Sequence, residues 1–310
     1  MAIKKIQPIL IIYFNRPQHL KSLLLSLKSF SPGVIYFACD GPRVGNQSDS
    51  NNIKKCNDLI DDIVDWNCNK YFLKSAVNIG CDDWVPESIS WLFKHETSGI
   101  ILEDDCLIDN NFYEFSGEML EKHANNKKIM NISALNPLAG DHQCNADYFL
   151  SCYPLTWAWA TWRRAWQNYQ YEVSYGKYIK HIANWLRSNN FNKEELKYWS
   201  SFIRKLEGNE VHFWDAKWIY SIWLMNSYSI TPNSNLVKNI GFGKDATHTK
   251  FSYDIPYAKK IKDMNFPLIH PSLRIIDSDK DRKIFEVRFK STLKKKLMHV
   301  FTIFLKSFKC

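Results

Sequence analysis

The chain opens with a continuous apolar run, Ile9-Leu10-Ile11-Ile12-Tyr13-Phe14, as expected of a parallel strand buried on both faces. Asn15-Arg16-Pro17 interrupts it, and Pro17 suits the first turn of a helix in which Leu20, Leu23, Leu24 and Leu27 recur at helical spacing. Ser31-Pro32-Gly33 closes that unit. Val34 to Ala38 then reads as a second strand, ending on Cys39-Asp40-Gly41-Pro42. The pattern further predicts a helix over 51–64, a short strand over 71–73, a helix near 85–93 after Asn78-Ile79-Gly80, and a strand over 99–102. A helix carrying Phe112, Phe115 and Leu120 follows Asp109, which is placed to cap it. Strands alternating with helices predict an α/β sheet with right-handed crossovers.

Three of these strands end on polar residues: Asn15-Arg16, Asp40, and Glu103-Asp104-Asp105. Ligands of open α/β sheets bind at that edge. The acidic triplet is the most informative of the three. Carboxylates crowded at one strand end repel one another, so a positive group is expected there. A hard divalent cation, held by one or two carboxylates and the phosphates of a substrate, suits the place. The ordinary alternative is a solvated acidic turn or a helix cap, and Asp109 is the better cap. Arg16 alone is an ordinary loop cation, and Asp40 alone an ordinary turn former. Beside the triplet they make a nucleotide cradle, with Arg16 for phosphate or base and Asp40 accepting a bond from a base N–H.

The second half is less regular. From Tyr153 to Trp166 the chain alternates and then turns to helical spacing, with Thr161 as a candidate cap. The tryptophans there read mainly as core between lobes, with a sugar-stacking platform or a wall of a donor pocket as the functional alternative. Arg163 and Arg164 could meet anions. Helical patterns follow near 177–187 and 193–206. Asp215, in Phe213-Trp214-Asp215-Ala-Lys-Trp218, reads first as a helix N-terminal residue favoured by the macrodipole. The alternative is a general base in an apolar surround. Gly241-Phe242-Gly243-Lys244 through His248 is a mobile surface loop or a lid closing over a diphosphate.

At 310 residues the chain can bury a large core, as one domain or two lobes. Its net charge of +9 is concentrated in Arg288, Lys290, Lys294, Lys295, Lys296, Lys306 and Lys309. The body is close to neutral, which argues against a nucleic-acid-binding protein. Lys294 to Lys296, then the apolar stretch Leu297 to Leu305, suggest a basic amphipathic helix on a membrane surface, or one docked on the protein. The 8 cysteines form no C-x-x-C pair, and the opening residues lack a secretory apolar core. The expected compartment is the cytoplasm, with peripheral contact on the inner membrane as an option. Aromatic residues reach 15%, more ring surface than a core usually needs.

Taken in order, these motifs resemble GT-A-fold nucleotide-sugar glycosyltransferases, in particular the N-acetylglucosaminyltransferase I type and its bacterial relatives. The resemblance rests on Phe14-Asn15-Arg16, Cys39-Asp40, Ile101-Leu102-Glu103-Asp104-Asp105 with Phe112 to Phe115, Phe213-Trp214-Asp215 with Trp218, and Gly241-Phe242-Gly243 through Thr247-His248. It spans about residue 8 to about 250. It implies a mixed, mostly parallel sheet flanked by helices: a nucleotide-sugar lobe (1–110), an acceptor-binding and catalytic lobe (111–280) and a basic tail (281–310). The implied activity is inverting transfer from a UDP-sugar to a hydroxyl of a glycan or glycolipid, with Mn²⁺ or Mg²⁺; the many Asn, Lys and Ile residues and the short two-lobed layout suggest a bacterial enzyme, and the basic tail suits surface glycan synthesis at the inner membrane. Asp105 would be the metal ligand and Asp215 the base. Arg16, Asp40, Asn78, Glu103, Asp104, Trp159, Gly243, Lys244 and His248 would hold the donor. Ala216 departs from the pattern, since a second acidic residue would follow the base. Rival readings are a retaining transferase, a nucleotidyltransferase and a non-catalytic glycan-binding protein.

Overall fold

In the computed structural model, which describes residues 7–138, 146–242, 261–271 and 276–290, the first half alternates strands and helices. The order is β1 (Ile9–Tyr13), α1 (Pro17–Lys28), β2 (Val34–Cys39), α2 (Gln47–Ile63), β3 (Asn69–Lys74), α3 (Cys81–His95) and β4 (Ser98–Glu103). β1 runs parallel to β2 on one side and to β4 on the other, and β3 is parallel to β2. Every residue of β1 is buried, which is why its sequence shows no alternation. α1 turns Leu20, Leu23, Leu24 and Leu27 into the core.

Two helices begin earlier than their apolar spacing suggests. The Asn46 side chain accepts the Asp49 N–H and starts α2 at Gln47 rather than 51. Gly80, at φ 84°, turns the chain so that α3 starts at Cys81 rather than 85. Asp109 caps α4 (Asn110–Lys122) as expected, accepting from Asn111 N.

The sheet continues through the second half with β6 (Ile129–Ser133), β7 (Tyr148–Ser151), β8 (Trp159–Trp162) and β9 (Tyr228–Pro232), giving the order β3-β2-β1-β4-β8-β6-β9-β7. β8 is antiparallel to β4 and β6, β6 is parallel to β9, and β7 is antiparallel to β9. The result is a mixed α/β sheet flanked by helices. A separate ribbon pairs β5 (Cys106–Ile108) with β10 (Val237–Asn239).

Thr161 is not a cap. It lies within β8, its hydroxyl donates to the Met130 carbonyl at 2.6 Å, and the short helix α5 (Arg163–Trp166) starts from the extended Trp162. α6 (Tyr175–Ser188) and α7 (Lys193–Glu207) follow, the latter opened by an Asn192/Glu195 capping box. α8 (Trp214–Leu224) is apolar around most of its circumference and correspondingly buried. Trp159, Trp166, Trp214 and Trp218 pack together between it and the sheet. α9 (Ser278–Ile284) runs on into a π-helical turn, Phe285–Phe289. No described helix is long and apolar enough to cross a membrane. The tail over 291–310 lies outside the described residues.

Candidate active site

After β1 the chain winds outward to β2 and β3, whereas β4 lies on the opposite side of β1. The carboxyl ends of β1 and β4 therefore flank a topological switch point, the edge at which open α/β sheets bind ligands. The register aligns Ile12 with Glu103, and Asp104 N–H bonds the Ile12 carbonyl at 3.1 Å. Arg16 and the acidic triplet consequently face one another.

The positive group at the strand end is Arg16 itself. Its Nε donates to Asp104 Oδ2 at 3.2 Å, a second nitrogen bonds Asp104 Oδ1, and the third stands 3.1 Å from Asp105 Oδ2. Burial opposes its charge, but Asp104, then Asp105 and Glu103, outweigh that and raise the guanidinium above its ordinary value. The expectation that Arg16 holds a phosphate and that Asp104 faces a nucleoside is thereby revised. The two side chains are committed to each other, and Asp104 is only 2% exposed.

Asp105 is different, with 15% of its side chain exposed. It closes the β5–β10 ribbon: Ile240 N–H bonds its carbonyl at 2.9 Å, and Asn239 Nδ2 reaches Oδ1 at 3.3 Å. Gly241 makes this fit possible, since a Cβ there would sit 2.8 Å from Asp105 Cγ. Burial raises Glu103 most, with Asp105 and Asp104 adding and Arg16 offsetting only part. Asp104 is raised by burial against the pull of Arg16. Of this coupled pair, Glu103 is the better proton holder, because the bidentate arginine favours the ionised Asp104.

Asp215 stands in the first turn of α8, where the Ala216 N–H donates to its Oδ1 at 2.9 Å. Its charge is the smallest of the influences that raise Glu103 and Cys81. Several bonds fix α8. Lys217 meets Asp82 of α3 at 3.0 Å, Trp218 Nε1 donates to buried Asn131 at 3.1 Å, and Trp223 Nε1 donates to the Cys152 carbonyl at 2.7 Å.

Asp40 has another occupation. Its carboxylate accepts from Gly41 N, Asn78 Nδ2, Ile79 N and Gly80 N at 2.8 to 3.1 Å, and it is 4% exposed. Asn78 also bonds the Gly41 carbonyl. The two residues tie the end of β2 to the loop entering α3, and direct base recognition by Asp40 is not what its bonds serve. Trp159 is likewise revised: at 1% exposure, stacked on Trp214, it is core and cannot wall a pocket. Gly243, Lys244 and His248 lie outside the described residues. The spacing of the sequence did not reveal Asn239, Lys217, or the wall formed by Trp157, Phe242 and Arg288. Phe242 meets Trp157 edge-on at 5.5 Å, and the Arg288 guanidinium lies 4.9 Å from the Trp157 ring centre.

No group of three or more His, Cys, Asp or Glu able to cage a metal exists among the described residues. One partly exposed carboxylate is nevertheless what a small hard cation needs when substrate phosphates and water supply its other ligands. With Glu103 holding a proton, Asp104, Asp105 and Asp215 still outnumber Arg16, so the residues present fit a divalent cation whose other ligands come from elsewhere.

No family model and no curated protein matches the chain. Among solved structures it is similar to a mannosyltransferase, PcManGT from Pyrobaculum calidifontis, in complex with GDP-Man and Mn²⁺: 7% identity, TM-score 0.37, 71% of this chain and 74% of that one. It is also similar to the galactosyltransferase LgtC with donor and acceptor sugar analogues, at 9% identity and TM-score 0.36, covering 94% of this chain and 99% of that one. An active-site mutant of LgtC gives 8% identity and TM-score 0.38 over the same shares.

Proposed function

We propose that the chain is a GT-A-type glycosyltransferase that moves a sugar from a UDP-sugar to an acceptor hydroxyl with inversion. The observation that supports this best is the strand edge at the switch point. There Asp105 keeps solvent access while Arg16 seals Asp104, and Asp215 stands in the first turn of a separately anchored helix. A divalent cation bound at Asp105, Mn²⁺ or Mg²⁺, would offset charge on the departing diphosphate. Asp215 would take the acceptor hydroxyl proton while that oxygen attacks the anomeric carbon, as the bond from that carbon to the diphosphate oxygen breaks on the opposite face. The bonds from Lys217 and Trp218 hold the helix bearing Asp215 in place for that transfer. A glycan or glycolipid acceptor in bacterial surface glycan synthesis, met at the cytoplasmic face of the inner membrane through the basic tail, belongs to the same reading.

Thermal-shift measurements with UDP-, GDP- and CMP-sugars, each with and without Mn²⁺, test donor and metal together. Stabilisation by the UDP compound that requires Mn²⁺ and vanishes in Asp105→Ala is expected; stabilisation indifferent to both would sink the assignment. Asp215→Asn should bind donor yet lose turnover by about 10²-fold or more, as expected when a general base is removed. Proton NMR of the product should show an inverted anomeric centre. One observation favours a second reading. Arg16 already neutralises part of the strand end, which suits metal-independent transfer, and activity that survives EDTA would favour it.

A further inference from the structure

Arg288 sits on the π-helical turn that continues α9, a helix type that recurs at functional sites. Its guanidinium lies 4.9 Å from the centre of the Trp157 ring, and its Nε is buried without a hydrogen-bond partner among the described residues. A buried donor of this kind is costly unless something meets it. Trp157 places the arginine at the site. The backbone of the next residue, Ala158, lies near enough to the Cys106 thiol to pull it down, so this segment runs beside Asp105-Cys106. The Trp157 ring meets Phe242, which follows the Gly241 that packs on Asp105. The turn is held firmly. Lys290 N–H bonds the Phe285 carbonyl at 2.8 Å, and buried Asp281 of α9 accepts from the Ser151 hydroxyl and from Cys152 N–H.

Charge supplies the reason for a second cation. Arg16 is tied up by Asp104 and Asp105, yet a diphosphate would arrive beside the partly exposed Asp105 carboxylate. We propose that Arg288, preorganised over Trp157, is a phosphate-binding residue of this site that meets the diphosphate of the nucleotide-sugar donor. A planar fork stacked on an aromatic ring suits phosphate oxygens better than a lysine would. The inference rests on the donor reading above.

The test is calorimetric binding of UDP in Mn²⁺ to the full chain and to Arg288→Gln and Arg288→Lys, with uridine binding followed in parallel by ligand-observed NMR. Arg288→Gln should weaken UDP roughly 10- to 100-fold and leave uridine unchanged, as expected when a charge-assisted bond to phosphate is lost. Arg288→Lys should recover part of that loss. Equal UDP affinity in Arg288→Gln, or parallel losses of UDP and uridine, would overturn the assignment, the second outcome marking a collapsed Trp157 wall. Loss of activity toward a phosphate-bearing acceptor with UDP binding intact would also overturn it and move the arginine to the acceptor side. If the unaltered protein binds no UDP, the donor reading itself fails, which is a separate result.

Discussion

Replacing Arg16 by alanine is the sharpest test of how the strand end is built. The guanidinium is 19% exposed, while its main partner, Asp104, is 2% exposed, so the pair is largely screened from water. Removing one partner of a buried ion pair costs about 3–5 kcal/mol, because the other charge is left without compensation. Asp104 can escape part of that by taking up a proton, which lowers the expected cost to about 2–4 kcal/mol at neutral pH. For a chain of 310 residues each kcal/mol moves the thermal midpoint by about 1.5 °C, so Arg16→Ala should melt roughly 3–6 °C lower. The sign with pH follows from the directions of the shifts. Burial raises the Asp104 carboxyl and Arg16 pulls it down, so the stabilisation by Arg16 exists only while Asp104 is ionised. It is present at high pH and is lost as pH falls through the raised range. Circular-dichroism melts at pH 8.5 and pH 5.5 should therefore show a larger deficit at the higher pH. Adding Asp104→Asn to Arg16→Ala should recover most of it. A deficit equal at both pH values, or undiminished in the double variant, would refute the reasoning.

Gly241→Ala should push its Cβ into Asp105 and lower Mn²⁺-dependent UDP affinity by roughly tenfold, since support of a ligating carboxylate is worth about that much. Calorimetry alongside a melt checks it, and unchanged affinity would count against a ligand role for Asp105. Asn131→Ala removes the acceptor for Trp218 Nε1 and the donor to Ser133 and Ser229, all fully buried, and should cost roughly 2–3 kcal/mol in urea unfolding. Asp281 is raised to about 7, by burial first, with its bonds from Ser151 and Cys152 pulling the other way. Its folded value lies above the unfolded one, so its contribution is complete below about pH 4 and is lost as pH rises through about 7. Between pH 6 and pH 8 the protein should lose about 1 kcal/mol from this group alone, a slope that Asp281→Asn should flatten in melts across that range.

How much of this is legible in the chain divides along a physical line. β1, β2 and β4 are readable because strands covered on both faces are uniformly apolar and end abruptly, and α1 is readable from its leucine spacing. Both depend only on neighbours in sequence. The starts of α2 and α3 are not, because the Asn46 cap and the positive φ of Gly80 extend each helix beyond its apolar stretch. Asp40 in its Asp-Gly-Pro setting reads as a turn former, and only its place beside the other strand ends suggests a base contact. Its four bonds return it to organising the loop. Trp159 and Thr161 mislead because β8 inserts between β4 and β6 and the Trp159 ring is covered by Trp214 and Trp218 of α8, which no pattern within the segment reveals.

Arg16 and the triplet each stand out in the sequence, and their relation is hidden for a related reason: pairing is a property of register between strands far apart in sequence. Once Ile12 lies opposite Glu103, the residue that follows β1 must meet the residues that follow β4, and the cation the triplet needs is already in the chain. This changes the electrostatic case for a metal without removing it. Three carboxylates alone would demand a counter-ion simply to fold. With Arg16 in place and Glu103 holding a proton the strand end can stand without one, and the charge on Asp104, Asp105 and Asp215 still exceeds what one guanidinium can balance. A site of that kind can stand empty and still favour a divalent ion brought in with a diphosphate, which is what the transferase proposed above would need in order to release its nucleotide after each turnover.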